Sequence, residues 1–443
     1  MKSLDREILR LALPSIVSNI TVPLLGLCDV TIMGHVGGAA SIGAIAVGSM
    51  IFNVMYWLFV FLRMSTSGLT AQAYGAGQWE KTRHILRRSL TTALLFGLAI
   101  VVLQVPLRWL TFWLMQADGE VATLCIPYYY ICIWGAPAVL GLYVLTGWLV
   151  GMQNTRVPMM IAIGQNVVNI AVSLVLVIGF GLGLRGVAIG TLVAQWTGFL
   201  AGIVGSLASS SSPTGERNIY LLRRNITKRL TTPLSLWKGV RDEAREASVE
   251  VYIFLRTLCL VSVNLWFTSA GSAQGPLILA ANTLLMQFFM IYSYMMDGFA
   301  NAGEALSGRY LGAGDKPMLQ LTVRRLFLWG GGVALFFTLV YWLGGMPLLR
   351  LLTSDGAVVS TAHIYLPWAV LIPAAGMAAF VWDGIFIGTT RSRGMFVSCF
   401  WAAAVFFALW LTLHPLMGNH ALWLALLVYL AMRGLVQTFL WKA

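Results

Sequence analysis

The sequence predicts an all-α integral membrane protein of about twelve transmembrane helices, in two six-helix bundles related by a parallel pseudo-two-fold repeat. Three observations carry that expectation. First, 58% of the 443 residues are hydrophobic and only 10% are charged, whereas soluble domains run near 45–50% apolar and about 25% charged. Second, the apolar residues come in blocks long enough to cross ~30 Å of hydrocarbon, separated by short polar gaps. Third, landmarks of the first half recur in the second at one fixed offset.

Six blocks lie near 11–34, 42–66, 89–113, 124–151, 158–180 and 186–208. Six more lie near 247–270, 277–302, 326–348, 360–389, 395–416 and 421–441. The expected division is an N-lobe over 1–208, a basic cytoplasmic linker over 209–246 and a C-lobe over 247–443. The linker opens on Ser209-Ser210-Ser211-Ser212-Pro213 and reads as a solvated loop that touches anionic lipid. In the repeat, Gly75-Ala76-Gly77 and Arg87-Arg88 stand 237 residues before Gly312-Ala313-Gly314 and Arg324-Arg325. The same offset links Gly147 to Gly384, Gly151 to Gly388 and Arg156 to Arg393. Halves of six helices share one membrane orientation, the parallel kind of repeat, and enclose a cavity that can open to either side.

The net charge of +13 is not a nucleic-acid footprint, because the cations fill the gaps between blocks instead of forming one basic face. They set topology. With both ends in the cytoplasm, the inner gaps hold Lys2, Arg6, Arg10, Lys81, Arg83, Arg87, Arg88, Arg156, the linker cations, Arg309, Lys316, Arg324, Arg325, Arg391, Arg393 and Lys442. The outer gaps hold only Arg108, Arg185 and Arg350, while Arg63, Arg256 and Arg433 fall within helices. The expectation is a multi-pass protein of a bacterial inner (plasma) membrane with both termini cytoplasmic. The charged lead Met1–Arg10 has no small-residue cleavage site, so the first block is expected to stay as a helix. Cys28, Cys125, Cys132, Cys259 and Cys399 lie inside apolar blocks without CxxC spacing, which argues against a disulfide framework or zinc site. No metal or cofactor is expected.

Particular residues then become recognisable. Leu11-Ala12-Leu13-Pro14, Ser18-Asn19-Ile20, Gly26-Leu27-Cys28-Asp29 and Gly34-His35 open the series. Phe61–Ala73, Asp297-Gly298-Phe299-Ala300, Asp383-Gly384, Phe386-Ile387-Gly388 and Gly418–Trp423 continue it in order. Together, from near residue 9 to near 435, they resemble the DinF branch of the multidrug and toxic-compound extrusion (MATE) family. The resemblance implies two six-helix lobes and secondary active export, by antiport, of cationic or amphipathic small molecules, driven by a proton or sodium gradient. A monomer is expected, with small molecules and membrane lipid as partners and no nucleic acid.

The resemblance carries a first-helix acid over to Asp29, a fifth-helix asparagine to Asn169 and a sixth-helix threonine to Thr191. Four residues after Asn169, where relatives commonly place a second acid, stands Ser173. One carboxylate makes a poor sodium cage, since hard cations want several oxygen ligands and charge compensation. The expected coupling ion is therefore H+, ahead of Na+.

An ionised carboxylate inside an apolar helix costs several kcal/mol unless it finds a partner or a proton, so Asp29 is the expected proton-coupling residue. Its bland alternative is a hydrogen bond that braces the lobe. Asn166, Asn169 and Ser173 recur at helical spacing and share a face, as do Thr191 and Gln195. They form an expected polar site, or else glue between helices worth about 1 kcal/mol. In the C-lobe, Glu250, Arg256, Asp297, Glu304 and Asp383, with Arg63 of the second helix, read as an ion-pair gate or as a substrate site.

Two other motifs carry no chemistry. Gly181–Gly186 fits GxGxxG but is a turn between membrane helices, and Gly312-Ala313-Gly314-Asp315 lies in a basic loop. The five histidines have no metal-ligand spacing. A lipid or lipid-linked precursor flippase is the alternative function, although polyanionic lipids would call for more intramembrane cations than three arginines. An intramembrane enzyme is the remote one, for want of a paired-aspartate, Ser-His or zinc signature.

Overall fold

The structure, a computed structural model, describes residues 2–36, 39–115, 119–210 and 233–442. Those residues form helices: α1 (Lys2–Val36), α2 (Ala39–Trp57), α3 (Phe61–Gly75), α4 (Trp79–Val102), α5 (Gln104–Met115), α6 (Gly119–Cys132), α7 (Ala136–Gly151), α8 (Arg156–Leu174) and α9 (Gly183–Ser210). After the linker come α10 (Pro233–Ala273), α11 (Pro276–Ala313), α12 (Lys316–Leu352), α13 (Gly356–Gly388), α14 (Ser392–Met417) and α15 (Asn419–Lys442). Among the described residues, eleven helical stretches are long and apolar enough to cross a membrane. Leu351, Leu343, Trp113, Trp342 and Phe439 are each at least 70% exposed, an apolar coat that suits lipid and not water.

Several first-half spans are segmented, which is why fifteen helices serve about twelve crossings. The fourth span breaks into α6, a 3₁₀ turn over Ile133–Gly135 and α7, where Pro137 withholds an N–H. The third breaks at Leu103 ahead of Pro106. The fifth ends in a π turn, Val175–Gly179, before the left-handed Gly181 and Gly183. Of the expected linker, residues 211–232 lie outside the described residues, and residues from Pro233 onward are already the start of α10.

The chain divides into two compact units. One holds Met1–Pro23, Ala71–Trp79 and Tyr252–Ala443; the other holds Leu24–Thr70 and Glu80–Val251. In the first, the start of α1 packs on α11: Gly298 has no room for a Cβ, which would lie 2.3 Å from the Ile16 side chain. Asn19 Nδ2 donates to the Tyr294 carbonyl at 3.2 Å. Phe288, Tyr292, Phe337 and Tyr341 form its aromatic core, in which Tyr341 donates to the Phe288 carbonyl at 2.6 Å. Asn282 and Asn419 exchange amide hydrogen bonds at 2.9 and 2.8 Å, joining α11 to α15. The second unit has cores around Met33, Ile45, Val177 and Val187, and around Ala138, Leu145 and Phe199.

The 237-residue offset is written into backbone geometry. A Cβ on Gly147 would lie 2.3 Å from the Arg63 carbonyl oxygen, and one on Gly384 would lie 2.2 Å from that of Ala300, the residue 237 beyond Arg63. Gly75 is pressed in the same way onto the Arg309 carbonyl at 1.9 Å, and Gly312 onto that of Gln72, its counterpart, at 2.0 Å. Gly77 and Gly314 are both left-handed, with φ of 68° and 75°. So are Gln153 and Thr390, the described non-glycine residues of positive φ, at 63° and 53°. Each ends its fourth span through the same pair of hydrogen bonds: Gln153 N to Val150 O and Asn154 N to Leu149 O, then Thr390 N to Ile387 O and Arg391 N to Phe386 O.

Candidate functional site

Asp29 lies on the part of α1 that belongs to the second unit, and is only 4% exposed. Spacing of three and four residues turns Asn169 and Ser173 of α8 to one face, and both are fully buried. Asn169 Nδ2 donates to Thr191 Oγ1 at 3.0 Å, and Thr191 Oγ1 donates to Asp29 Oδ2 at 3.5 Å. An amide, a hydroxyl and a carboxylate thus form one chain across α8, α9 and α1. Its acceptors are only half used. Asp29 Oδ1, Asn169 Oδ1 and Ser173 Oγ are buried without a hydrogen-bond partner, and among the described residues no Lys or Arg pairs with Asp29. Unmet buried acceptors each cost about 1–3 kcal/mol, more for a charged group, so the cluster is poised to take a proton or a small cation.

Ser173 is fixed by crowding. A Cβ on Gly190 of α9 would lie 2.1 Å from Ser173 Oγ, so α8 and α9 touch there with room for little more than a hydroxyl. Gln195, one turn beyond Thr191, is set apart from this chain: its Oε1 packs on Gly135 and has no hydrogen-bond partner. Asn166 is half-buried on the polar face of α8. Sequence reasoning missed Tyr128 and Cys132 of α6, both buried and within electrostatic reach of Asp29. An aromatic and a cysteine inside an apolar block give no signal of that role. Among the described residues no group of His, Cys, Asp and Glu could hold a metal ion.

The first unit holds a different kind of acid. Asp383 of α13 pairs through Oδ2 with Arg256 of α10 and with Arg433 Nη2 of α15 at 2.5 Å, and its Oδ1 accepts from Gln437 Nε2 at 2.7 Å. All four residues are at most 6% exposed. The sequence joins Arg256 to the acids but does not single out Arg433 and Gln437 as partners; their i, i+4 spacing on α15 was the available signal. Asp297 is half-buried and Glu304 buried, seven residues apart on α11. Arg63 lies in the first turn of α3 in the other unit, and Glu250 lies near Arg88 and Glu246.

One family model, MatE, matches the chain twice, over residues 14–175 and 253–410. The chain belongs to the MatE family. MATE proteins are transporters and not enzymes, and this member is a multi-pass membrane protein. It is 38% identical over 442 residues to the DNA damage-inducible protein F of Escherichia coli, covering 100% of this chain and 93% of that one, so the resemblance to the DinF branch holds. The Vibrio cholerae MATE transporter VcmN in its bent form shares the fold with a TM-score of 0.82 and 19% identity, over 100% of this chain and 97% of that one. A MOP superfamily transporter of Pyrococcus furiosus does so with a TM-score of 0.81 and 18% identity, over 99% and 95%.

Proposed function

We propose that this MATE protein is a secondary active exporter of cationic or amphipathic small molecules, an antiporter that works by alternating access and is coupled to H+ through Asp29. The observation that carries the reading is the under-satisfied carboxylate: Asp29 is buried, has an unpartnered oxygen and, among the described residues, has no cationic partner. When the site faces water the carboxylate is stabilised as an ion; when the cavity closes around it, a proton replaces the lost solvation. The Thr191 hydroxyl, held by Asn169, orients one oxygen and leaves the other for the proton. The charge then changes with the direction of access, and a cationic substrate competes with the proton for the same neutralisation.

Sodium is disfavoured because Ser173 supplies a hydroxyl where a second carboxylate would be needed. Asp383 is disfavoured as the coupling group because two guanidinium groups and an amide already occupy its oxygens. Relatives support export: a protein of Thermotoga maritima named a probable multidrug resistance protein is 23% identical over 366 residues. A flippase of polyanionic lipids is disfavoured, since Arg256 and Arg433 are committed to Asp383. The bacterial relatives and the excess of cations in the inner gaps support an inner-membrane location with both termini cytoplasmic.

The test is flux of a fluorescent organic cation in proteoliposomes under an imposed gradient. A pH gradient is expected to drive transport and a sodium gradient at constant pH is not. Transport that follows sodium alone would overturn the coupling assignment.

A further inference from the structure

The first two turns of α4 line an open surface pocket of about 480 Å³ with Glu80, Lys81, Arg83, His84 and Arg87. All five side chains are exposed. Glu80 offsets only part of the positive charge, through Arg83 at 3.7 Å. Arg88, next in sequence, is spent elsewhere, in an ion pair with the buried Glu246.

The internal repeat separates cations that serve the fold from cations that do not. Arg87 and Arg88 recur as Arg324 and Arg325, and Arg325 pairs with Asp5 at 3.6 Å much as Arg88 pairs with Glu246. Lys81, Arg83 and His84 do not recur: their counterparts 237 residues on are Met318, Gln320 and Leu321, and Lys316 is the one other cation there. A helix start of the same geometry therefore needs none of the three. Their position is also specific, because the apolar span Trp79–Val102 begins at this cluster. Basic side chains at the end of a membrane span lie at headgroup depth, where each Lys or Arg attracts an anionic surface.

We propose that this pocket is a binding site for the headgroup of an anionic phospholipid, with Arg83 and Arg87 clasping the phosphate and Lys81 adding a point charge. Guanidinium forks match phosphate oxygens in pairs, and a pocket of this volume holds a group of headgroup size. The lipid is a site-bound partner of the first half alone.

The experiment titrates the purified full-length protein in mixed micelles with phosphatidylglycerol or phosphatidylcholine and follows the thermal midpoint, with native mass spectrometry to count bound lipid. The wild type is expected to show a saturable rise with phosphatidylglycerol only. Lys81→Met/Arg83→Gln/His84→Leu, which installs the second half's own residues, is expected to bind it about thirty-fold more weakly, since two full charges are lost. Lys81→Gln/Arg83→Gln keeps the surface polar and is expected to do the same. Equal responses to the two lipids, or unchanged anionic binding in both variants, would overturn the proposal. Glycerol phosphate is expected to leave the midpoint unmoved; a matching shift would assign the site to a free phosphate and remove the lipid.

Discussion

The two buried aspartates show how environment divides the work of chemically identical groups. Asp383 is surrounded by Arg256, Arg433 and Gln437, so its charge is compensated and its oxygens are filled. Asp383→Asn leaves two buried guanidinium groups short of their carboxylate and is expected to cost about 3–5 kcal/mol, read as a large fall in thermal midpoint. A midpoint close to wild type would show that the cluster does not hold its lobe together. Ser173→Asp adds the carboxylate that sodium coordination wants, at a site already pressed against Gly190. It is expected to cost about 1–3 kcal/mol from overpacking, and to make transport respond to sodium; a sodium-blind variant would remove Ser173 from the coupling site. Asp29 and Asn169 stand out in the sequence as an acid and an amide inside apolar blocks, whereas Thr191 came from the resemblance to the family. Arg433 was visible as an intramembrane charge but not as a partner, since nothing in the spacing says that α10, α13 and α15 converge on one carboxylate.

At the scale of elements, the packing of second spans on fourth spans depends on glycine. Gly147 lies on the Arg63 carbonyl and Gly384 on that of Ala300, with no space for even a methyl group. Gly147→Ala and Gly384→Ala are therefore expected to destabilise by similar amounts, about 2–3 kcal/mol each, because both drive a Cβ into backbone that cannot yield as a side chain would. Thermal midpoints of the two variants check this, and a neutral outcome in either half would show that the contact is not needed there. The number of crossings followed from apolar block length, whereas the breaks in the third and fourth spans, at Leu103 ahead of Pro106 and at Gly135 with Pro137, were not expected from the sequence. The turn at residues 58–60 between α2 and α3 has no Pro or Gly to announce it, and composition alone could not locate it. Nor could it show that α10 begins at Pro233, well before its apolar block, because polar helix and polar loop look alike without a periodic apolar face.

For the whole molecule, one architectural unit is used twice and then made unequal. The halves share close helix approaches and the same strained turns at Gln153 and Thr390, whereas an under-satisfied carboxylate occurs on one side and a clamped one on the other. Parallel repeats of this kind are one of the architectures on which alternating access is built, and under the proposed function the inequality assigns the ion to one half. The measurement that bears most directly on this account compares Asp29→Asn with wild type in proteoliposomes, in two modes. Asparagine keeps the size and most of the hydrogen-bonding capacity of Asp29 but cannot titrate. The variant is expected to insert and fold normally and to keep gradient-free exchange of substrate. Its pH-driven export is expected to fall to the level of protein-free vesicles. Wild-type pH-driven export by a correctly folded Asp29→Asn protein would contradict the account and move the coupling proton to another carboxylate.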